Sequence, residues 1–315
     1  MRVLFAAPED AWGGFLHQIR TELPDVEIEA SGGFEVSSLE GFDVLIPTMT
    51  RITEDLLRTA DRLKLIQQCG AGLEGVDIPA ARDRGIRVAN VPTDISGNAD
   101  SVAELAIYLM IGLSRDFRGM ARSLESGKMG EPRGRALSGK TVGIVGLGGI
   151  GRALIQRLRG FDVRMIGIRR REPLEGPAEL GLEWIGTPED LAELLGRSDY
   201  VVLCLPLTPE TLHLMDDRTL AFMKPEAFLI NLSRGGLVDR DALERALASG
   251  VIAGAGLDVF WDEPPDPRDP IFSHNVLATP HVAGSTDVSI RGIVRVVAEN
   301  IRQIEQNREP RFCAC

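Results

Sequence analysis

Three segments in the final third of the sequence each end an apolar run with a polar side chain that could take part in chemistry. The first segment, "NLSRGGLVD", contains Arg234. The second, "GLDVFWDEPP", contains Asp258 and then Glu263, and the third, "ATPHVAG", contains His281. An imidazole has a free pKa of about 6.5, so it can deliver a proton near neutral pH, and a neighbouring carboxylate favours its charged form. A guanidinium can bind a carboxylate or polarise a carbonyl. The residue types therefore predict proton transfer on a carbonyl substrate.

These side chains can meet only if the segments before them are neighbouring strands. In doubly wound sheets, ligands bind at the carboxyl ends of the strands, where all of these residues are expected. Taken singly, each has a purely structural alternative: His281 as a loop residue, Glu263 as a solvated turn acid, and Asp258 as a buried loop cap. Their joint occurrence favours a functional site.

Short apolar runs recur along the chain between helical stretches. They are continuous rather than alternating, as is typical of parallel strands covered by helices on both faces. The runs are "RVLFAA", "FDVLIP", "LKLIQQ", "IRVANV", "TVGIVG", "DVRMIGI", "DYVVLCL", "AFLINLS", "AGAGLDVF" and "NVLATP". The pattern predicts an α/β protein with two doubly wound parallel-sheet domains of Rossmann or flavodoxin-like type. The two series of strands fall in residues 1–97 and 98–285.

A glycine-rich loop follows the strand "TVGIVG". Gly146, Gly148 and Gly151 have the G-x-G-x-x-G spacing, with Gly149 and Ile150 between them. After a strand and before a helix, this spacing has a mechanism: the first glycine allows a tight turn, the second lets a pyrophosphate approach, and the third lets helix pack on strand. The loop predicts a dinucleotide site, with a purely structural glycine turn as the alternative.

The second strand of this unit ends in "IGIRRRE". About 20 residues after the glycine loop an Asp or Glu normally holds the adenosine ribose 2′-hydroxyl, but Arg169 stands there. A guanidinium cannot accept a hydrogen bond from a hydroxyl, whereas it can bind a 2′-phosphate with two donors, and Arg170 and Arg171 add positive charge. The arginines predict NADP(H) in preference to NAD(H), with NAD possible. A solvated basic turn is the alternative.

The bulk composition excludes several classes of protein. The apolar fraction is 44% and the net charge is −11, which disfavours a nucleic-acid partner. No apolar run approaches the roughly 20 residues of a membrane span, and the amino terminus does not resemble a signal peptide, so we expect a cytoplasmic protein without a membrane partner. The spacing of the four cysteines fits neither a disulfide framework nor a metal site, so reduced thiols are expected, with Cys313 and Cys315 on a frayed end.

The chain resembles the D-isomer-specific 2-hydroxyacid dehydrogenases over nearly its full length. The motifs that carry this resemblance are "GAGLEGVD", "RVANVP", "SVAELAIYLM", "GKTVGIVGLGGIGR", "PLTPET", "INLSRGGLVDRDAL", "AGLDVFWDEPP" and "TPHVAGST". The family implies a cofactor domain at 98–285 and a substrate-binding domain made of residues 1–97 with 286–315, around a cleft. It also implies a homodimer formed through the cofactor domain and its long helix.

The resemblance also implies roles for single residues. His281 would be the general acid/base, Glu263 its orienting partner and Arg234 the substrate clamp. Backbone N–H groups at Ala71 and Gly72 would hold a substrate carboxylate. The remaining implied contacts are with the cofactor, at Leu205, Pro206, Ser233 and Asp258, the last meeting the nicotinamide amide. The implied activity is reduction of a small 2-oxo acid, of the glyoxylate or hydroxypyruvate reductase type, with no metal.

Two other functions are compatible with the same fold. Formate oxidation occurs in relatives that pair the histidine with glutamine, and Glu263 counts against it. A cofactor-sensing binding protein, as in the related corepressors, would keep the domains without turnover. The chain departs from the family at Met129, where many relatives have tryptophan, and at Ser233, where alanine is common. Met49 and Arg51 lie in a loop that could line the substrate or face solvent.

Overall fold

The computed structural model describes residues 1–170 and 176–315. The chain divides into two compact units, Met1–Asn98 with Gly284–Cys315 (unit 1) and Ala99–Ala283 (unit 2). Each unit contains one parallel sheet with helices, so the α/β class with two parallel-sheet domains is confirmed. Arg171 lies outside the described residues.

The sheet of unit 1 has the strand order β2-β1-β3-β4-β5, and all of its pairs are parallel. This is the flavodoxin-like order. Its strands are β1 (Arg2–Phe5), β2 (Glu27–Ala30), β3 (Val44–Ile46), β4 (Leu65–Gln67) and β5 (Arg87–Ala89). Successive side chains of a strand point to opposite faces, so Val3 and Phe5 join one buried cluster and Leu4 the other.

The sheet of unit 2 has the order β12-β11-β10-β9-β6-β7-β8, again parallel throughout. Its strands are β6 (Thr141–Val145), β7 (Arg164–Ile168), β8 (Trp184–Gly186), β9 (Tyr200–Leu203), β10 (Phe228–Asn231), β11 (Gly254–Leu257) and β12 (Val276–Ala278). From β6 the chain adds strands to one side and then, from β9, to the other. The strand order therefore reverses between β6 and β9, which is where such sheets bind ligands.

Helices cover both sheets. They are α1 (Ala11–Glu22), α2 (Glu54–Leu57), α3 (Ile78–Asp83), α4 (Asn98–Ser114), α5 (Phe117–Glu125), α6 (Gly149–Leu158), α7 (Pro177–Leu180), α8 (Leu191–Arg197), α9 (Asp217–Leu220), α10 (Arg240–Ser249) and α11 (Asp287–Glu305). Asp239 caps α10 by accepting from the Ala242 N–H at 2.8 Å, and Gly250 ends it at φ +72°. Both ends agree with the N-cap and C-cap preferences of these residue types.

Three features differ from the sequence-based predictions. The segment "SVAE" at 101–104 has the capping-box pattern, which predicts a helix start at Ser101, but α4 begins at Asn98 and Ser101 is buried inside it. Strands β2 and β8 are not among the predicted runs, because β2 alternates glutamate with apolar residues and β8 has only three residues; both lie at sheet edges and are partly buried. Edge strands are short and weakly patterned.

The third difference concerns the end of the chain, which is paired rather than frayed. The Asn300 side chain accepts from the Arg311 N–H at 2.7 Å and donates to its carbonyl at 3.0 Å. The Ala314 N–H then donates to the Val88 carbonyl at 2.7 Å, and Cys313 forms an antiparallel bridge with the edge strand β5. The tail thus covers backbone groups that an edge strand would otherwise leave unpaired.

Candidate active site

The polar side chains singled out in unit 2 all follow the carboxyl ends of its strands. Because the strands are parallel and adjacent, these ends form one edge of the sheet. Along that edge His281 follows β12, Glu263 follows β11, Arg234 follows β10, Gly146 follows β6 and Arg169 follows β7. Their order along the edge places His281, Glu263 and Arg234 on three adjacent strands, whereas Gly146 and Arg169 follow another adjacent pair of strands.

The glycine loop meets each of its three requirements in a different way. Gly146 has φ +103°, and a Cβ there would lie 2.4 Å from the Cys204 carbonyl oxygen. A Cβ at Gly151 would lie 2.2 Å from the Gly146 carbonyl oxygen, so the close approach of α6 to β6 needs glycine. A Cβ at Gly148 would meet nothing within 4 Å. The loop therefore leaves open space beside the first turn of α6, which begins at Gly149 and Ile150.

Arg169 follows directly after β7, as the sequence predicts. Its N–H donates to the Gly186 carbonyl at 3.2 Å, while its side-chain Nε is buried and has no hydrogen-bond partner within the described residues. A buried donor without a partner costs about 1–3 kcal/mol, so this Nε–H is suited to donate to an acceptor outside the described residues. Arg170 is exposed. The pKa of Glu210, which follows β9, is lowered mainly by a hydrogen bond from the Thr208 side chain, with a smaller contribution from the charge of Arg170.

His281 and Glu263 form a direct pair. The imidazole Nδ1 lies 2.7 Å from Glu263 Oε2, and Glu263 Oε1 accepts from the Phe260 N–H at 3.0 Å. His281 has φ +52°, a conformation that few non-glycine residues adopt, and its side chain is 39% exposed against 17% for Glu263. The carboxylate is thus held from two sides while the imidazole stays accessible.

The charge state of Glu263 follows from two opposing effects. Burial alone would raise the pKa of this carboxyl, but the hydrogen bond and charge of His281 act against it. The hydrogen bond from the Phe260 N–H and the charge of Arg234 also lower the pKa of Glu263, so the net shift is downward. Glu263 is therefore a carboxylate at neutral pH, which suits it to orient a proton-carrying imidazole.

Asp258 caps a buried loop, which is the structural alternative that the sequence analysis gave for this residue. It is fully buried, and its carboxylate accepts from Thr279 Oγ1 at 2.6 Å and from the N–H groups of Val282 and Ala283 at 2.9 Å each. Burial raises the pKa of this carboxyl despite these bonds. Asp258 caps the loop on both sides of His281, and a contact with a nicotinamide amide stays a prediction.

Arg234 is held by the turn in which it lies. The Asn231 side chain donates to the Arg234 carbonyl at 2.8 Å and accepts from the Ser233 N–H at 3.1 Å. The Ser233 hydroxyl donates to the Leu203 carbonyl at 2.8 Å, which ties the turn to the end of β9. Arg234 Nη1 donates to the Ser233 carbonyl at 2.7 Å. Ser233, 7% exposed, uses its hydroxyl inside the protein, so its contact with a cofactor also stays a prediction.

A sequence profile described as the D-isomer specific 2-hydroxyacid dehydrogenase, NAD binding domain matches residues 107–283. The match covers more than half of the chain and includes the glycine loop, Arg234, Glu263 and His281. The chain belongs to this family. Its members are oxidoreductases that interconvert 2-hydroxy and 2-oxo acids with a nicotinamide cofactor, in agreement with the resemblance seen in the motifs.

Individual members of the 2-hydroxyacid dehydrogenase family agree with this assignment. The chain is 37% identical over 279 residues to a glyoxylate reductase of Thermococcus litoralis, with 85% of this chain and 82% of that protein covered. It is 36% identical over 293 residues to a D-3-phosphoglycerate dehydrogenase of Methanocaldococcus jannaschii, covering 91% of this chain but 55% of that protein. The solved structure of an NADPH-dependent glyoxylate/hydroxypyruvate reductase from Sinorhizobium meliloti, in complex with NADP and malonate, matches with a TM-score of 0.84 and 27% identity, covering 100% of this chain and 96% of that one.

The other residues predicted for this dehydrogenase lie in loops at strand ends. Leu205 is partly buried and Pro206 exposed, both after β9. In unit 1, Ala71 and Gly72 follow β4, and the Ala71 carbonyl accepts from the Asn90 side chain at 2.6 Å. Ala71 is exposed and Gly72 is partly buried.

The described residues contain neither a membrane-spanning helix nor a cluster of metal-ligating side chains. Within residues 1–170 and 176–315, no helix is long and apolar enough to cross a membrane. In the same residues, no group of three or more His, Cys, Asp or Glu side chains could hold a metal ion.

Sequence reasoning missed Asn231 and Gly235, which set the position of Arg234. Asn231 is buried at the last position of the apolar strand β10, and a polar residue there is a signal for a turn that its side chain holds. A Cβ at Gly235 would lie 2.1 Å from the Phe260 carbonyl oxygen, a contact with a distant segment that no local pattern shows.

Proposed function

We propose that this protein reduces a small 2-oxo acid to the D-2-hydroxy acid with NADPH. The observation that carries the proposal is the bond of 2.7 Å between His281 and the carboxylate of Glu263, on the same sheet edge as Arg234 and the glycine loop. A histidine held by a carboxylate is the arrangement of a general acid/base, and Arg234 can recognise the carboxylate of the substrate.

The proposed mechanism assigns one task to each side chain. Arg234 binds the substrate and draws electron density towards the carbonyl oxygen, which favours attack at C2. When bound, the nicotinamide ring supplies the hydride for C2. Protonated His281 would donate its Nε2 proton to the carbonyl oxygen and become neutral, while Glu263, bonded to Nδ1, orients the ring and stabilises its charged form before the transfer. Asp258 keeps the His281 loop in the required conformation.

The described residues fit a dinucleotide. The open space at Gly148 and the N–H groups in the first turn of α6 would accept a pyrophosphate. The buried Arg169 Nε, which has no partner within the described residues, would donate to a 2′-phosphate, with Arg170 adding charge nearby. Leu205 and Pro206 would line the ribose, as the family resemblance implies. These features support NADP(H), and NAD(H) remains the competing cofactor.

Replacing Arg169 with alanine tests the cofactor preference. We expect kcat/KM for NADPH to fall by about 10- to 150-fold while kcat/KM for NADH changes by less than about threefold, because a charge-assisted bond to phosphate contributes about 1.5–3 kcal/mol and NADH has no 2′-phosphate. Steady-state kinetics with both cofactors gives the ratio. Arg218→Ala, which removes an exposed arginine on α9, is the matched control. An unchanged ratio in the Arg169 variant would show that the arginines form only a basic turn.

The substrate is best sought with a panel of 2-oxo acids. The relatives named glyoxylate reductase and D-3-phosphoglycerate dehydrogenase support a small 2-oxo or 2-hydroxy acid. Purified protein with NADPH and glyoxylate, hydroxypyruvate, pyruvate or a phosphorylated 2-oxo acid should lose absorbance at the reduced nicotinamide band. If none of these acids is reduced although NADPH binds tightly, the result would favour a cofactor sensor. Oxidation of formate with NADP would favour a formate dehydrogenase.

We also propose that the protein is a homodimer through α4, α5 and the following loop. Six large apolar side chains in this segment are 38–91% exposed: Tyr108, Ile111, Phe117, Met120, Leu124 and Met129. Apolar residues clustered in one exposed segment are typical of protein interfaces. Met129, the position where many relatives have tryptophan, is the most exposed of them at 91%.

The charge substitution Leu124→Asp tests this interface. We expect the variant to sediment as a monomer where the unmodified protein sediments as a dimer, because a carboxylate buried without a partner costs several kcal/mol. Phe222→Asp is the control and should leave the dimer intact, because Phe222 is 42% exposed and lies between Leu220 and Met223, which belong to a different buried cluster from that of α4. A monomeric unmodified protein, or a dimer that survives Leu124→Asp, would contradict the proposal.

A further inference from the structure

The loop after β10 and the loop after β11 touch through their backbones. A Cβ on Gly235 would lie 2.1 Å from the Phe260 carbonyl oxygen and 2.7 Å from the Trp261 nitrogen, distances that real Cβ atoms do not show. The residue before Gly235 is Arg234, and Phe260 donates its N–H to Glu263 at 3.0 Å. The two loops that carry the substrate clamp and the histidine's partner are therefore in direct contact.

Trp261 makes a second contact between the same loops. Its indole Nε1–H donates to the Val238 carbonyl at 2.6 Å, across 23 positions of sequence. The ring is partly buried and packs against the apolar cluster that contains Leu237 and Val238. Val238 follows the short 3-10 turn Gly235–Leu237, at whose end a carbonyl needs a partner from outside the turn.

We propose that Trp261 is a positioning residue that holds the Arg234 loop against the Glu263 turn through its bond to Val238. Trp261 lies three residues from Asp258 and two from Glu263, so its backbone belongs to the turn that holds the histidine's partner. The side chain reaches the other loop at Val238, so the Gly235 contact and the indole bond restrain the Arg234 loop near both of its ends. This inference rests on the proposed function, in which Arg234 and Glu263 act on the same substrate.

The indole nitrogen, rather than ring size, is the feature that matters here. A phenylalanine would keep most of the apolar packing but could not donate to Val238. Removing the donor leaves a carbonyl without its partner, and the loop is then free to shift. A shift of the Arg234 loop weakens the grip on the substrate carboxylate, whereas a loosened Glu263 turn weakens the bonds that lower the pKa of this carboxyl.

The variant Trp261→Phe tests the proposal. We expect KM for the 2-oxo acid to rise by about three- to tenfold, the range for one lost hydrogen bond, with a smaller fall in kcat and with the Kd for NADPH unchanged. The acid limb of the pH profile of kcat/KM should move to higher pH, because the pKa of Glu263 rises towards its ordinary value. Trp184→Phe is the matched control, since Trp184 lies in the edge strand β8 and packs against Arg197.

Amide hydrogen exchange of the free protein separates this proposal from the proposed function. In Trp261→Phe, exchange should be faster in residues 234–238 and 258–263 than in Trp184→Phe, whether or not a substrate has been found. Unchanged exchange in these two segments would overturn the positioning role even in an active enzyme. An equal loss of substrate and cofactor binding with a lowered Tm would also overturn it, because that pattern reports general destabilisation.

Discussion

His281→Ala is expected to lower kcat for 2-oxo acid reduction by about 10²- to 10⁴-fold while leaving the Kd for NADPH within about twofold of its original value. The size of the effect follows from the loss of the proton donor, which the substrate oxygen needs as hydride arrives at C2. The cofactor is unaffected because His281 follows β12, whereas the glycine loop and Arg169 follow β6 and β7. Stopped-flow or steady-state reduction of the best substrate in the panel gives kcat, and a fluorescence titration gives the Kd.

The chain offers a close control for this experiment in His213. Both histidines lie in unit 2, both have φ +52°, and each has a carboxylate nearby, with His213 Nδ1 at 3.6 Å from Asp239. His213→Ala therefore repeats the same chemical change and the same backbone constraint without touching the proposed proton donor. Equal losses in the two variants would point to a general effect of the substitution, and full activity of His281→Ala would refute the acid/base assignment.

Arg234→Gln is expected to lower kcat/KM for the 2-oxo acid by about 10²- to 10³-fold, with both a higher KM and a lower kcat. The guanidinium has two tasks in the proposed mechanism, binding the carboxylate and polarising the carbonyl, and glutamine has neither the charge nor the paired donors. Because Asn231 holds the turn through backbone groups of Ser233 and Arg234, the substitution should leave the turn in place.

Free guanidinium ion makes the Arg234 experiment more specific. Added guanidinium should restore part of the activity of Arg234→Gln, since it can occupy the space left by the side chain, and should not stimulate the unmodified protein. Arg245→Gln, which removes an exposed arginine paired with Asp217, is the control and should retain full activity. A loss of less than about threefold in Arg234→Gln would exclude the clamp role.

The glycine loop and the strands around it show how much local sequence can predict. The spacing of Gly146, Gly148 and Gly151 predicts a tight turn, an open position and a close helix–strand contact. The three glycines have these environments in the structure. Buried strands such as β6 and β10 have continuous apolar runs because both of their faces are covered. Strands β2 and β8 were not predicted, because β2 alternates glutamate with apolar residues and β8 has only three residues.

Local sequence patterns gave wrong predictions for the start of α4 and for the end of the chain. The Ser101 pattern has the form of a helix start, yet α4 already begins at Asn98, after Gly97 at φ +76°. Cys313 lies near the end of the chain, where fraying is the usual expectation, but the tail pairs with the edge strand β5. In both places a tertiary contact or a backbone angle outweighed the local preference.

The sequence by itself determined the family, the fold class and the residue types at the strand ends, because apolar periodicity and motif spacing are local properties of the chain. Only the tertiary structure decided which of these residues touch. The bond of His281 to Glu263, the three bonds that Asp258 accepts, and the bond of Trp261 to Val238 all join separate loops. Such contacts depend on the order of strands in the sheet, which brings distant segments to one edge and leaves no local trace in the sequence.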